Sequence, residues 1–201
     1  MKNSNTEENI LNAAISIFQK KGMAGARMQE IADEAKINKA MLHYYFRSKQ
    51  QLFEAVFLKA FQQLAPQLNL IFASEKDSVF EKIKKFTSSY IDFILDNPFL
   101  PNFIIYELNN NPDFVKTFLS QENRPDPQPF LEQIDREIKA GKIKQTNPKQ
   151  LLLNILSLTI FPFVADTMIK VIMNISEGEF TQLIEERKTL ISKQIIDTIK
   201  I

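Results

Sequence analysis

RMQEIADEAKINKAMLHYYFRSK, residues 27–49, is the stretch whose reading decides the fold. It divides into two short helices, over about 28–35 and 38–46, joined by a tight turn. In the first, Met28, Ile31, Ala32 and Ala35 recur at helical spacing and mark one apolar face. In the second, Leu42 and Phe46 stand four apart and share the inward face. Lys39, Ala40, Met41, His43, Tyr44 and Tyr45 remain outward, a set of small, aromatic and cationic side chains. A helix that met only water would carry Glu, Lys and Gln there. Two short helices with a tight turn, the second presenting such a face, form the helix-turn-helix pattern.

The rest of the chain reads as helix throughout. A first helix opens near Thr6, a capping side chain, with Glu7 and Glu8 at its positive end. It buries Ile10, Ala13, Ala14, Ile17 and Phe18 and stops at Gly22. Ser48 caps a long helix bearing Leu52, Phe53, Val56, Phe57, Ala60, Phe61 and Leu64. Pro66 kinks or ends it, and residues 68–74 can continue it. Further helices are expected over 78–96, 98–110, 113–122 and 130–140. Asn147 and Pro148 start a long apolar helix over 149–174, with Pro162 inside it. Glu177-Gly178 reads as a turn, and 179–200 as a final amphipathic helix. No strand, internal repeat or low-complexity segment is visible.

Composition narrows the chemistry. The chain has 201 residues, 44% of them hydrophobic, with no cysteine and one histidine, His43. Disulfides, thiolate metal sites and cysteine nucleophiles are excluded, and histidine-based metal or Ser-His-Asp chemistry is nearly so. No catalytic residue, metal site or cofactor is expected, and the chain does not read as an enzyme. Residues 1–50 hold eight Lys/Arg against five Asp/Glu, while the remainder carries a slight acidic excess. A mildly basic N-terminal end on a near-neutral body fits a DNA-binding end and a second, different end. The N-terminus lacks an apolar signal segment. Residues 151–175 are the most apolar stretch, but Asn154, Pro162, Asp166 and Lys170 interrupt them. A buried or interface helix is expected there, with no membrane span.

Three segments in order, ILNAAISIFQKKG (10–22), IADEA (31–35) and KAMLHYYFRSKQQLF (39–53), resemble the N-terminal domain of the TetR/AcrR family of bacterial transcriptional regulators. The resemblance covers about the first quarter of the chain. It implies an all-α protein with a three-helix helix-turn-helix DNA-binding domain over 1–50. Residues 51–201 would form a helical effector-binding and dimerisation domain. It also implies a cytoplasmic homodimer on a palindromic operator in double-stranded DNA, acting as a repressor released by a small apolar or amphipathic ligand.

On this resemblance Lys39, Ala40, Met41, His43, Tyr44 and Tyr45 face the major groove and its flanking phosphates, with Arg27, Met28, Asn38 and Lys49 beside them. Ala40 permits close approach, Met41 suits a thymine methyl, and His43 and Tyr44 can hydrogen-bond bases or phosphates. Two positions depart from the family. Ala26 and Arg27 stand where Ser or Thr usually caps the second helix, a cap worth about 1 kcal/mol. Lys36 stands where the turn usually has Gly. If its backbone is left-handed, Lys costs about 1 kcal/mol relative to Gly.

The resemblance further implies an effector cavity among the aromatic helices of the body, with Phe86, Tyr90, Phe93, Phe103 and Tyr106 as its candidate lining. Plain core packing is the competing reading for each of these residues. The helices over 151–175 and 179–200 would form half of a four-helix dimer seam. The alternative to a DNA reader is a helical ligand-binding or protein-interaction module whose helix-turn-helix no longer reads DNA.

Overall fold

The computed structural model describes residues 2–102, 105, 109, 113, 116 and 124–201, and among these it contains helices and no strand. The helix α1 spans Lys2–Gly25 and is broken at Gly22, whose φ of 63° suits a residue without a Cβ. Gly22 therefore ends the straight helix, as expected. The start differs: α1 begins at Lys2, so Thr6 lies inside it and is no cap.

Helix α2 (Met28–Glu34) and helix α3 (Lys39–Tyr45) match the expected pair. Their caps follow local chemistry. Arg27, at the N-cap of α2, makes no side-chain capping bond. The C-terminus of α2 closes through Ile37 N donating to Ala32 O at 3.0 Å and Lys36 N to Asp33 O at 3.1 Å. That closure needs a left-handed residue between them. Lys36 supplies it at φ 56°. Asn38 caps α3, its Oδ1 accepting from Met41 N at 2.7 Å.

Helix α4 (Lys49–Ala73) is capped by Ser48, whose Oγ accepts from Gln51 N at 3.1 Å. It runs through Pro66 without ending. Burial on both sides of the proline holds it: Leu64, Ala65, Leu68 and Phe72 are all in the core. Helix α5 (Val79–Asp96) starts with a full capping box between Ser78 and Glu81. Helix α6 (Gln128–Lys139) follows the Pro-rich segment and ends before Gly141 at φ 65°. Helix α7 (Pro148–Val164) is capped by Asn147, with Pro148 in its first turn as expected. The expected helices over 98–110 and 113–122 fall largely outside the described residues.

The expected single helix over 149–174 is two. Helix α8 (Asp166–Met173) leaves α7 at Ala165 with a bend of 75°. Pro162 is the physical reason for weakness here, because it has no N–H for the carbonyl of Leu158. Arg187 takes that carbonyl instead, its Nη2 donating at 2.8 Å. A second correction concerns Glu177 and Gly178. They lie in the first turn of helix α9 (Glu177–Ile199), because Ser176 and Glu179 form a capping box that starts the helix two residues earlier.

Two large cores meet along α4. The N-terminal core gathers α1, α2, α3 and the first half of α4, through Ile10, Phe18, Ile31, Leu42, Phe53 and Phe57. The body core gathers the second half of α4 with α5, α6, α7 and α9, through Leu64, Phe72, Ile83, Phe130, Ile155 and Ile195. Phe99 and Leu100, from the turn after α5, belong to the N-terminal core.

A left-handed lysine is strained wherever its side chain points. Lys36→Gly is expected to raise stability by about 1 kcal/mol. Denaturant unfolding, read as a higher midpoint at unchanged slope, checks this.

Candidate nucleic-acid interface and effector cavity

Leu42 and Phe46 are buried beneath α3 and fix which side of the helix faces out. Lys39, Ala40, Met41, His43 and Tyr44 are exposed, Tyr44 at 78%. A ring so exposed buries little apolar area within its own chain. Tyr45 differs from the outward expectation: it is half-buried against the N-terminal core, and its ring meets Tyr44 edge-on at 5.4 Å. Met28 is also half-buried against that core, while Arg27 and Asn38 are exposed.

Charge around α3 is divided between internal use and display. Lys21 pairs with Glu30 at 2.9 Å, tying α1 to α2. The hydrogen bond from Lys21 holds the Glu30 carboxyl below the usual range. Lys49 turns inward: its Nζ donates to Ala26 O at 3.1 Å and Ala24 O at 3.4 Å, holding the turn before α2. Arg27, Lys36, Lys39 and Arg47 are exposed and form no ion pair among the described residues. The sequence reading passed over Arg47 and gave Lys36 only a backbone role. Their shared signal is position, since both are cations in the linkers that bracket α3.

In the body, an apolar cavity of about 90 Å³ is lined by Phe57, Phe61, Tyr90, Phe93, Leu100 and Ile160 among others. Of the expected lining, Tyr90 and Phe93 are present. Phe86 does not reach it. Its ring is stacked between Phe72 at 5.6 Å and Tyr90 at 5.4 Å, within the core. Phe103 and Tyr106 lie outside the described residues. Phe57 and Phe61 were missed as lining. They sit one turn apart on α4, with rings 5.7 Å apart, and read from sequence as ordinary core positions. Burial pushes the Tyr90 phenol up to about 12, so it stays protonated and able to donate. The cavity is smaller than the roughly 150 Å³ that accommodates a benzene ring.

The cavity and the N-terminal core share one turn. Leu100 lines the cavity and packs in that core. Its neighbour Phe99 stands edge-on to Phe53 at 5.5 Å and lies 6.4 Å from Phe18. Gln19 of α1 donates to the Asp96 carbonyl at 2.7 Å, pinning the same turn from outside.

Away from these sites, α7 and α9 leave Leu153, Leu158, Phe161, Leu183 and Leu190 exposed on neighbouring faces. No single helix among the described residues is long and apolar enough to cross a membrane.

Residues 10–56 match the family described as "Bacterial regulatory proteins, tetR family". The chain is similar to the transcriptional repressor NicS of Pseudomonas putida, 35% identical over 89 residues that span 43% of this chain and 42% of that one. It is similar to IcaR of Staphylococcus aureus, a negative transcriptional regulator of the biofilm operon icaADBC. There the identity is 25% over 142 residues, 70% of this chain and 73% of IcaR. The chain spans less than half the length of the first curated relatives it matches. A solved structure of a tetR-family regulator from Mesorhizobium loti superposes over 100% of both chains with a TM-score of 0.67. At 16% identity, that likeness is one of fold.

The turn that carries Phe99 ties the two cores together. Phe99→Ala is expected to cost about 3 kcal/mol or more, the usual loss for a buried phenylalanine. Chemical denaturation of the purified variant measures it.

Proposed function

We propose that the chain, whose residues 10–56 match the tetR family of bacterial regulatory proteins, is a homodimeric DNA-binding transcriptional repressor of that family. The observation that carries the reading is the exposed face of α3. Two buried anchors, Leu42 and Phe46, hold it rigidly, and cations without ion pairs flank it. Ala40 lets the helix backbone approach base edges, and Met41 suits a thymine methyl. Lys39, His43 and Tyr44 offer donors to bases or phosphates. Arg27, Lys36, Arg47 and the Asn38 amide supply backbone contacts that set register without reading sequence. Tyr45 and Lys49 hold the helix and the turn before α2 in place and present what remains of their polar groups to the phosphates.

Residues 1–50 form the DNA-reading domain and 51–201 the effector-binding and dimerisation domain, with the early turns of α4 completing the first domain's core. The exposed apolar faces of α7 and α9 pair with the same faces of a second copy about a two-fold axis. Such a dimer places its two α3 helices about 34–36 Å apart, one turn of a palindromic operator. The protein acts in the cytoplasm, by binding and without turnover.

Release follows from the shared turn. A small apolar or amphipathic ligand, hydrogen-bonded by Tyr90, must widen a cavity of about 90 Å³. Widening displaces Leu100, and with it Phe99 in the core beneath the reading head. The ligand must favour the released state by several kcal/mol to empty the operator.

Selection of genomic fragments by the purified protein, followed by salt titration, tests the reading. A palindrome bound by a dimer, with affinity falling steeply in salt, is the expected result. Tyr44→Ala and Lys39→Ala should each cost about 1–3 kcal/mol of specific binding, and Arg47→Ala should lower the salt slope by about 1. Weak, sequence-blind binding that none of these changes alters would leave a helical module that no longer reads DNA. Phe161→Glu, which puts a charge in the proposed seam, is expected to yield monomer in sedimentation; an unchanged dimer would place the seam elsewhere.

A further inference from the structure

A second cavity, open to solvent and about 620 Å³, lies where the C-terminal end of α4 meets α5 and α6. It shares no lining residue with the apolar cavity. Lys82 of α5 lines it and is 3% exposed. Its Nζ donates to the carbonyl of Phe72, at the end of α4, at 2.6 Å. An ammonium carries three donors. Among the described residues the ammonium of Lys82 makes that one hydrogen bond and no ion pair. Burial is the largest influence and lowers its pKa, and Arg136 adds to that, while the carboxylates of Asp77, Glu137 and Glu75, none in ion-pair contact with it, act the other way.

The neighbours point the same way. Arg136 and Lys142 line the cleft and form no ion pair among the described residues. The carboxylates on the α6 wall accept hydrogen bonds from neutral donors. Glu137 accepts from Gln133 Nε2 at 2.8 Å and from Val79 N at 3.4 Å. Glu132 accepts from Gln128 Nε2 at 3.1 Å. Glu75 is exposed. The lining carries three cations and three carboxylates, and of these six Lys82 is the most buried, with two ammonium donors uncommitted.

We propose that this cleft binds a small-molecule anion, with Lys82 and Arg136 holding its charged oxygens. The shared chemistry is a compact oxyanion, carried by a carboxylate or by a phosphate monoester. Phe72 and Pro129 line the same cleft and offer apolar contact to the body of the ligand. The site stands apart from the DNA-reading surface and the apolar effector cavity, and it does not depend on either proposal.

The test is an amide NMR titration of the full-length protein with inorganic phosphate and, separately, with succinate. One probe or both should shift the amides of residues 74–82 and 132–142 saturably, with half-saturation near about 1 mM, the level of a few charge-assisted bonds. A phosphate response assigns a phosphate ligand, a succinate response a carboxylate, and a response to both an oxyanion site indifferent to the carrier. Arg136→Ala should weaken binding about tenfold while leaving thermal unfolding unchanged. Lys82→Met should abolish binding. Because Lys82 also serves the Phe72 carbonyl, the surface variant Arg136→Ala decides the matter if Lys82→Met unfolds. Three results overturn the proposal. The cleft amides stay still at ten times that concentration, the shifts survive Arg136→Ala unweakened, or the only response is at residues 39–49. In each case Lys82 does no more than cap α4.

Discussion

The molecule depends on α4 being one stiff helix shared by two hydrophobic cores. Leu52, Phe53, Val56 and Phe57 are buried with the helix-turn-helix, and Leu64, Leu68 and Phe72 with the body. Pro66 leaves the Gln62 carbonyl without its helical donor, but packing on both sides of the proline keeps α4 continuous, so a tilt imposed at one end appears at the other. Phe99 adds a second, non-covalent link, entering the N-terminal core from the body side between Phe18 and Phe53. Contacts between such rings add about 0.5–1.5 kcal/mol beyond the area they bury. With two links the helix-turn-helix is not a bead on a tether. Its orientation is set by the body, and the apolar cavity lies against both links, touching α4 at Phe57 and Phe61 and the turn at Leu100.

The far end of the body is organised by a missing proton. Pro162 leaves the Leu158 carbonyl without its helical donor, and Arg187 of α9 supplies one from across the interface. That bond locks α7 to α9 beside the exposed Leu158, Phe161 and Leu183. Three residues beyond Pro162 the chain turns by 75° into α8. Lys170 then binds Asp166 within α8 and Glu177 at the start of α9, which fixes the corner from inside. The apolar seam proposed for the second copy is thus rigid before any partner arrives, so little ordering cost remains for pairing.

In the head, the same economy governs charge. Lys21 and Lys49 are consumed by structure, one on Glu30 and the other on the carbonyls of Ala24 and Ala26. The uncapped N-terminus of α2 and the left-handed Lys36 are local costs that the Ile31 and Leu42 packing offsets. What remains outward is a short arc of cations around an aromatic face. Net charge near zero for the whole chain conceals this arc, because the body's acidic residues balance it on paper and not in space.

The sequence by itself determined the elements whose causes are local. Periodicity placed α2 and α3, Asn38, Ser48 and Asn147 announced their caps, and Leu42 with Phe46 fixed the outward face of α3. The Lys36 strain was legible because only backbone geometry, not packing, sets its cost. Tertiary structure decided whatever depends on which surfaces meet. It turned Lys49 inward, half-buried Tyr45, and put Phe86 in the core and not in the cavity wall. It brought Phe57 and Phe61 to that wall, and broke the long C-terminal helix at Ala165. It also buried Lys82 under the end of α4. A one-dimensional pattern states that a side chain is apolar or charged and which face of its helix it shares. Which partner that face will find, and so whether a ring fills a core or lines a space, is settled only when the helices pack.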